Sequence, residues 1–200
     1  MRTARPLLLF APLALAACQA QSRKEDSLWS SPAEALRAAN PSDIAILPPV
    51  YAPATPTTEG GGSAGVPLEG IRQAAYRECL RRRYAPLSLD FVDRAVRTVE
   101  ASADARGACA EDATLEIVVR RFDASRLLNA REVGVGADFF LRDGKSGAAL
   151  WSAKADQTVS LRVEAEVLKD EGLLRRAAVE RFVAYALTGL PAREPSPQAR

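Results

Sequence analysis

The chain has 200 residues, with 27 lysines and arginines against 25 aspartates and glutamates, and no histidine. A formal net charge of +2 offers a polyanion such as nucleic acid no broad basic surface. The missing histidine removes the commonest general base and the commonest transition-metal ligand. Setting aside an N-terminal apolar segment leaves about 180 residues, enough for one domain with a sizeable core plus tails.

Met1 to Arg5 carry two arginines and no acid, and Leu7 to Ala17 are apolar or small except for Pro12. That run is too short to cross a hydrocarbon core, which takes about 20 residues of helix, but it suits a secretory signal. It closes on Leu15-Ala16-Ala17-Cys18, with small residues where a peptidase needs room and a cysteine directly after them. This resembles the lipobox of bacterial lipoproteins. The resemblance implies cleavage before Cys18, acylation of Cys18 by chains such as palmitate, and attachment to the lipid bilayer. More than one chain, at about 0.8 kcal/mol per buried CH₂, makes such anchoring stable. Gln19 is not the aspartate associated with inner-membrane retention, so the resemblance implies the outer membrane, on its periplasmic face. An ordinary secretory signal with a chance cysteine is the alternative.

Export leaves Cys79 and Cys109 as an even pair in an oxidising compartment. A disulfide between them would close a loop of about 30 residues, worth on the order of 3 to 4 kcal/mol; two buried free thiols are the competing reading. Residues 18–41 read as a lipidated flexible tether. A short helix in it would be capped by Ser31, with Pro32 at its first position and Glu34 at its third. Trp29 suits either the membrane interface or, more simply, a linker.

The domain opens at Ile44-Ala45-Ile46-Leu47, a continuous apolar run predicted as a buried strand and ended by Pro48-Pro49. Residues 51–65 form a long loop with three successive glycines at 60–62 but no following Lys-Ser/Thr, so it reads as a surface loop and a candidate contact region. A helix is predicted from Pro67 to about Arg83. Leu68, Ile71, Ala75 and Cys79 fall on one face; Glu69, Arg72, Arg77 and Arg82 point elsewhere. The run Arg81-Arg82-Arg83 suits the negative end of a helix dipole better than an anion site. A second strand over 84–89 leads to Asp90 as the cap of a helix whose stripe is Phe91, Val92, Ala95, Val96 and Val99.

Three alternating strands follow. Leu115, Ile117 and Val119 share a face, as do Val133, Val135, Ala137, Phe139 and Leu141; Asp143 to Gly147 is a hairpin loop; Leu150, Trp151, Ala153 and Ala155 return. A last helix lies within about 165–187, with Leu174, Ala178, Phe182 and Ala186 at i, i+4 spacing. The predicted fold class is α/β (α+β), in the order β-α-β-α-β-β-β-α, with a mixed sheet and helices chiefly on one face. The predicted organisation is a signal over 1–17, a tether over 18–41, a single α/β domain over 42–191 and a disordered tail over 192–200.

The strand Ile44-Ala45-Ile46-Leu47-Pro48-Pro49, the hairpin Leu141-Arg142-Asp143…Ser146-Gly147…Leu150-Trp151 and the helix closing on Leu190-Pro191 resemble small bacterial envelope lipoproteins. Their domains are similar to the TolB N-terminal domain, to LpoB and to the periplasmic part of CsgG. That resemblance implies a non-enzymatic binding or assembly module for an envelope machine (peptidoglycan synthesis, secretion or a transporter accessory), with an envelope protein as partner and room for a homo-oligomer. No cofactor, metal site or catalytic residue is expected. Glu116, Glu132 and Asp138 could gather as carboxylates on the polar sheet face, but Arg120, Arg121, Arg131 and Arg142 from the same strands favour ion pairing. A small-ligand or lipid carrier, with a cavity between sheet and helices, is the alternative function.

Overall fold

The computed structural model describes residues 26–53, 65–99, 109–162 and 170–195. The signal over 1–17, Cys18, most of the loop at 51–65 and residues 196–200 lie outside them. The described residues form one seven-stranded mixed sheet in the order β1-β7-β6-β5-β2-β4, with β3 also paired to β5. The strands are β1 (Ser27–Ser30), β2 (Asp43–Ile46), β3 (Val50–Tyr51), β4 (Ala85–Pro86), β5 (Ala113–Asp123), β6 (Glu132–Asp143) and β7 (Ala149–Ser160). The helices are α1 (Glu34–Ala39), α2 (Leu68–Arg81), α3 (Leu89–Val99), the single turn α4 (Leu127–Ala130) and α5 (Glu171–Ala186).

The α/β class and mixed sheet are as the residue pattern predicts. Residues facing the helices from β5, β6 and β7 are buried at every second position, from Leu115 and Ile117 through Val135 and Phe139 to Trp151 and Ala153. They pack against Ile71 and Ala75 of α2 and against Leu174, Ala178 and Phe182 of α5. The Phe139 and Phe182 rings meet at 6.4 Å with a 39° tilt, a favourable aromatic geometry. Asp170 caps α5, its side chain accepting the Leu173 N–H. The 143–149 turn closes with Gly147 at φ +70°, where a side chain would be strained.

Several expectations need correction. The tether reading fails from Ser27 onward: β1 pairs antiparallel with the outer edge of β7, Ser27 opposite Asp156 and Ser30 opposite Ala153. Leu36 of α1 is buried in the main core. Ser31 does not cap α1; its hydroxyl accepts the Ser152 N–H at 2.9 Å and so fastens the segment to β7. The tail is likewise held over 192–195. Arg193 N–H donates to the Arg82 carbonyl, Tyr84 Oη to the Pro191 carbonyl and Arg82 Nη1 to the Leu190 carbonyl.

Arg72 does not point to solvent. It is 1% exposed and ties the end of β2 to α2 and α3. In α3 the stripe is rotated, with Val92 buried, Phe91 45% exposed, and Ser88 rather than Asp90 accepting the Phe91 N–H.

Candidate functional site: the open face of the sheet

Helices α1, α2, α4 and α5 pack on one face of the sheet, through Leu36, Ile71, Ala75, Leu127, Leu174, Ala178 and Phe182. The opposite face presents Glu116, Val118, Asp138, Phe140, Arg142 and Lys154. A register shift between Val119 and Arg121 sets its pattern. One extra residue in β5 puts Arg120 and Arg121 on the same face instead of opposite ones, a common result of a β-bulge.

Those two arginines and Arg142 meet the carboxylates of the neighbouring strands. Arg120 pairs with Asp138, Arg121 with Asp156, and Arg142 Nε lies 3.1 Å from Glu116. The Arg142 guanidinium also sits 5.6 Å over the Phe140 ring. At the β5–β6 connection Arg126 pairs with Glu132 at 3.0 Å. The carboxylates at 116, 132 and 138 are thus each engaged by an arginine, the cross-strand fate their spacing favours. Long guanidinium side chains also cover the strands beneath them, which buries Asp138 and Glu132 on a face expected to be solvated. Arg121 overlies Gly134, and the Asp156 carboxylate reaches over Gly136. A side chain at either position would have to push the overlying guanidinium or carboxylate aside.

Such a face can present fixed, alternating charge to a partner. Among the described residues no group of three or more Cys, Asp or Glu is placed to hold a metal ion. Asp123, at the end of β5, has its carboxyl held below the usual range, chiefly by the Ser125 side chain and then by the Ser125 N–H. Asp143 is held low in the same way by Ser146, whose N–H donates to it at 2.7 Å.

Cys79 and Cys109 are both free thiols, so the bridge is not formed. Cys79 is buried on the core face of α2, where burial pushes its thiol up to about 12. Cys109 stands before β5 with its N–H donating to Glu111 at 2.9 Å; burial first, and Glu111 second, raise its thiol too. Cys18 is outside the described residues.

Sequence reasoning missed the bulge, because neighbouring arginines give no periodicity signal. It also missed the surface cleft of about 360 Å³ between α2 and α5, lined by Gln73, Arg77, Arg175 and Arg176. Within that cleft Arg77 pairs with Glu180 at 2.7 Å and Arg175 with Glu171 at 2.6 Å. Those are pairings between helices and along one helix turn, and only the first needs the tertiary structure.

No protein-family profile matches the chain, and no curated protein matches it in sequence. In fold it is similar to PelC from Paraburkholderia phytofirmans, solved as a dodecamer. The likeness has a TM-score of 0.51 at 17% identity and covers 85% of this chain and 100% of that one. It is also similar to the lipoprotein GNA1162 from Neisseria meningitidis, with TM-score 0.45, 21% identity, and coverage of 74% of this chain and 100% of that one. At these identities the likeness is one of fold.

Proposed function

We propose that this chain is a lipid-anchored lipoprotein of the bacterial envelope, held by acylated Cys18 on the periplasmic face of the outer membrane. There its α/β domain acts as a non-enzymatic binding and assembly module. The carrying observation is the Leu15-Ala16-Ala17-Cys18 motif followed closely by the domain, whose first described residue is Asp26. The likeness to TolB-N-terminal, LpoB and CsgG-type domains belongs to this reading, as does assembly of several copies. A dodecamer of the fold exists in PelC. The charged open face of the sheet, with both signs fixed in register, is the surface that would meet an envelope partner.

The module is not an enzyme in this reading. The carboxylates of the open face are engaged by arginines, and the chain has no histidine to activate a nucleophile. The carrier alternative asks for space between sheet and helices, and that layer is filled by Ile46, Ile71, Phe139, Trp151 and Phe182, each at most 1% exposed.

Growth with an alkyne fatty acid tests the anchor. The wild-type chain takes up label and Cys18→Ser does not; equal labelling of the two overturns it. Crosslinking in intact envelopes then tests the module, which should be recovered in higher-mass species. Recovery as a monomer alone removes the assembly role.

A further inference from the structure

The two edges of the sheet differ in what they offer a further strand. β4 forms one edge. There the Ala85 N–H donates to the Ser42 carbonyl and the Leu87 N–H to the Ile44 carbonyl, so the residue between them faces outward. That residue is Pro86, which has no N–H to give. β1 forms the other edge, and its sequence Ser27-Leu28-Trp29-Ser30 holds no proline, no glycine and no charge. Proline and charge are among the devices that keep an edge strand from pairing with another chain.

Alternation shows which backbone groups of β1 point outward. The Ser31 N–H donates to the Ser152 carbonyl at 2.8 Å, and Trp29 and Ser27 stand opposite Lys154 and Asp156. In an antiparallel ladder every second residue bonds to a given neighbour. Ser27, Trp29 and Ser31 therefore bond inward to β7, while Leu28 and Ser30 turn their N–H and C=O groups out. Among the described residues no strand takes them, because β1 ends the sheet. The side chains on this edge are open too. Leu28 is 36% exposed on the helix side, and Trp29 is 54% exposed on the other face, where its cross-strand row continues through Lys154 and Asp138.

This edge is complementary to itself. In an antiparallel pair centred on Trp29, Leu28 of one copy faces Ser30 of the other, so the outward groups of the two strands satisfy each other in four hydrogen bonds. The two Trp29 residues form the pair without hydrogen bonds, with Cα atoms about 4.5 Å apart and rings meeting on the open face. No like charges meet along the seam. Two copies anchored in one leaflet keep the same side toward it, which a two-fold axis along the membrane normal allows. We infer that the β1 edge is where a second copy of this chain joins, antiparallel and centred on Trp29, so that one sheet runs through two domains. The inference deepens the assembly of copies proposed above and rests on that reading.

The test is oxidative crosslinking of the full chain in its own envelopes, in a Cys18→Ser, Cys109→Ser background that leaves only the buried Cys79 thiol, and again with Cys18 kept. Trp29→Cys should give a disulfide-linked dimer in both, since its two copies stand within bonding range. Ser27→Cys, exposed on the same face, should not, because its two copies lie about 14 Å apart along the pair. Adding Leu28→Pro removes an outward N–H and no inward one, so the Trp29→Cys dimer should be lost with the unfolding midpoint kept. If that variant fails to fold, Leu28→Lys, which sets like charges on the seam, should lose the dimer in its place. Equal dimer from Ser27→Cys and Trp29→Cys reports collision and overturns the inference, as does a Trp29→Cys disulfide to a different protein. Formaldehyde crosslinking of the same envelopes separates the two readings. Higher-mass species without the Trp29→Cys dimer overturn this pairing and leave assembly standing on another surface; a monomer by both methods removes both.

Discussion

Arg72 delivers two hydrogen bonds to a single acceptor, the Ile46 carbonyl, from Nε at 2.9 Å and Nη2 at 2.8 Å. Its Nη1 donates to Asp93 at 2.6 Å. The Ile46 carbonyl lies at the end of β2, where the Leu47-Pro48-Pro49 stretch leaves the sheet, so a helix side chain provides what a neighbouring strand does not. The planar guanidinium fork is what allows one residue to bind a strand end and a second helix together.

Arg72→Met should therefore destabilise the domain by about 3 kcal/mol, because it leaves a buried carbonyl unpaired as well as removing an ion pair. Arg72→Lys should recover only part of the loss, since an ammonium cannot make the same fork. Urea unfolding followed by circular dichroism reads both. A loss for Arg72→Met no larger than that of an exposed substitution such as Arg94→Met would contradict the assignment.

Two glycines separate a flexible obstacle from a rigid one. A side chain at residue 134 meets the end of the Arg121 side chain, which can swing aside; one at residue 144 meets the backbone carbonyl of Glu111, which cannot. Gly144→Ala should cost about 2 to 3 kcal/mol and Gly134→Ala about 1 kcal/mol or less. The smaller cost should shrink further in an Arg121→Ala background, and a double-mutant cycle by thermal unfolding measures that coupling.

Leu36 distinguishes a docked segment from a tether. As a core side chain it should cost about 3 to 5 kcal/mol when cut to alanine. Leu36→Ala in a flexible linker would leave the unfolding midpoint unchanged. Calorimetry on the two proteins compares them directly.

The thiols predict an alkaline limb. With Cys79 near its unperturbed value of 9.0 when unfolded and at about 12 when folded, the folded state keeps a proton that the unfolded state gives up. Its contribution is full below pH 9 and lost between pH 9 and about 12, with a slope of at most about 1.4 kcal/mol per pH unit. Cys79→Ala should flatten that limb in urea titrations between pH 8 and 11. In the native protein a thiol reagent should modify Cys109, which is half-buried, well before Cys79, which is fully buried. Simultaneous modification would contradict the burial of Cys79.

Elements whose own side chains carry the information were legible before folding. The alternation through β5 to β7 and the i, i+4 stripe of α5 each mark a buried face by local spacing alone, and so fix the α/β class. Arg72 was not legible, because helical spacing assigns a charged residue to the outer face unless a distant strand end offers it a carbonyl. The candidate site divides in the same way. Arginines and carboxylates alternating on neighbouring strands foretell ion pairs, but the bulge that turns both Arg120 and Arg121 to one face depends on the pairing register.

The sequence by itself determined the layered class, the hairpin and the motif at Cys18, since each rests on composition or on neighbours within a few residues. Only the tertiary structure decided that Ser27 to Ser30 is an edge strand and that Trp29 stands exposed on it. Four residues of no clear period become a strand only when a partner edge such as that of β7 supplies the hydrogen bonds.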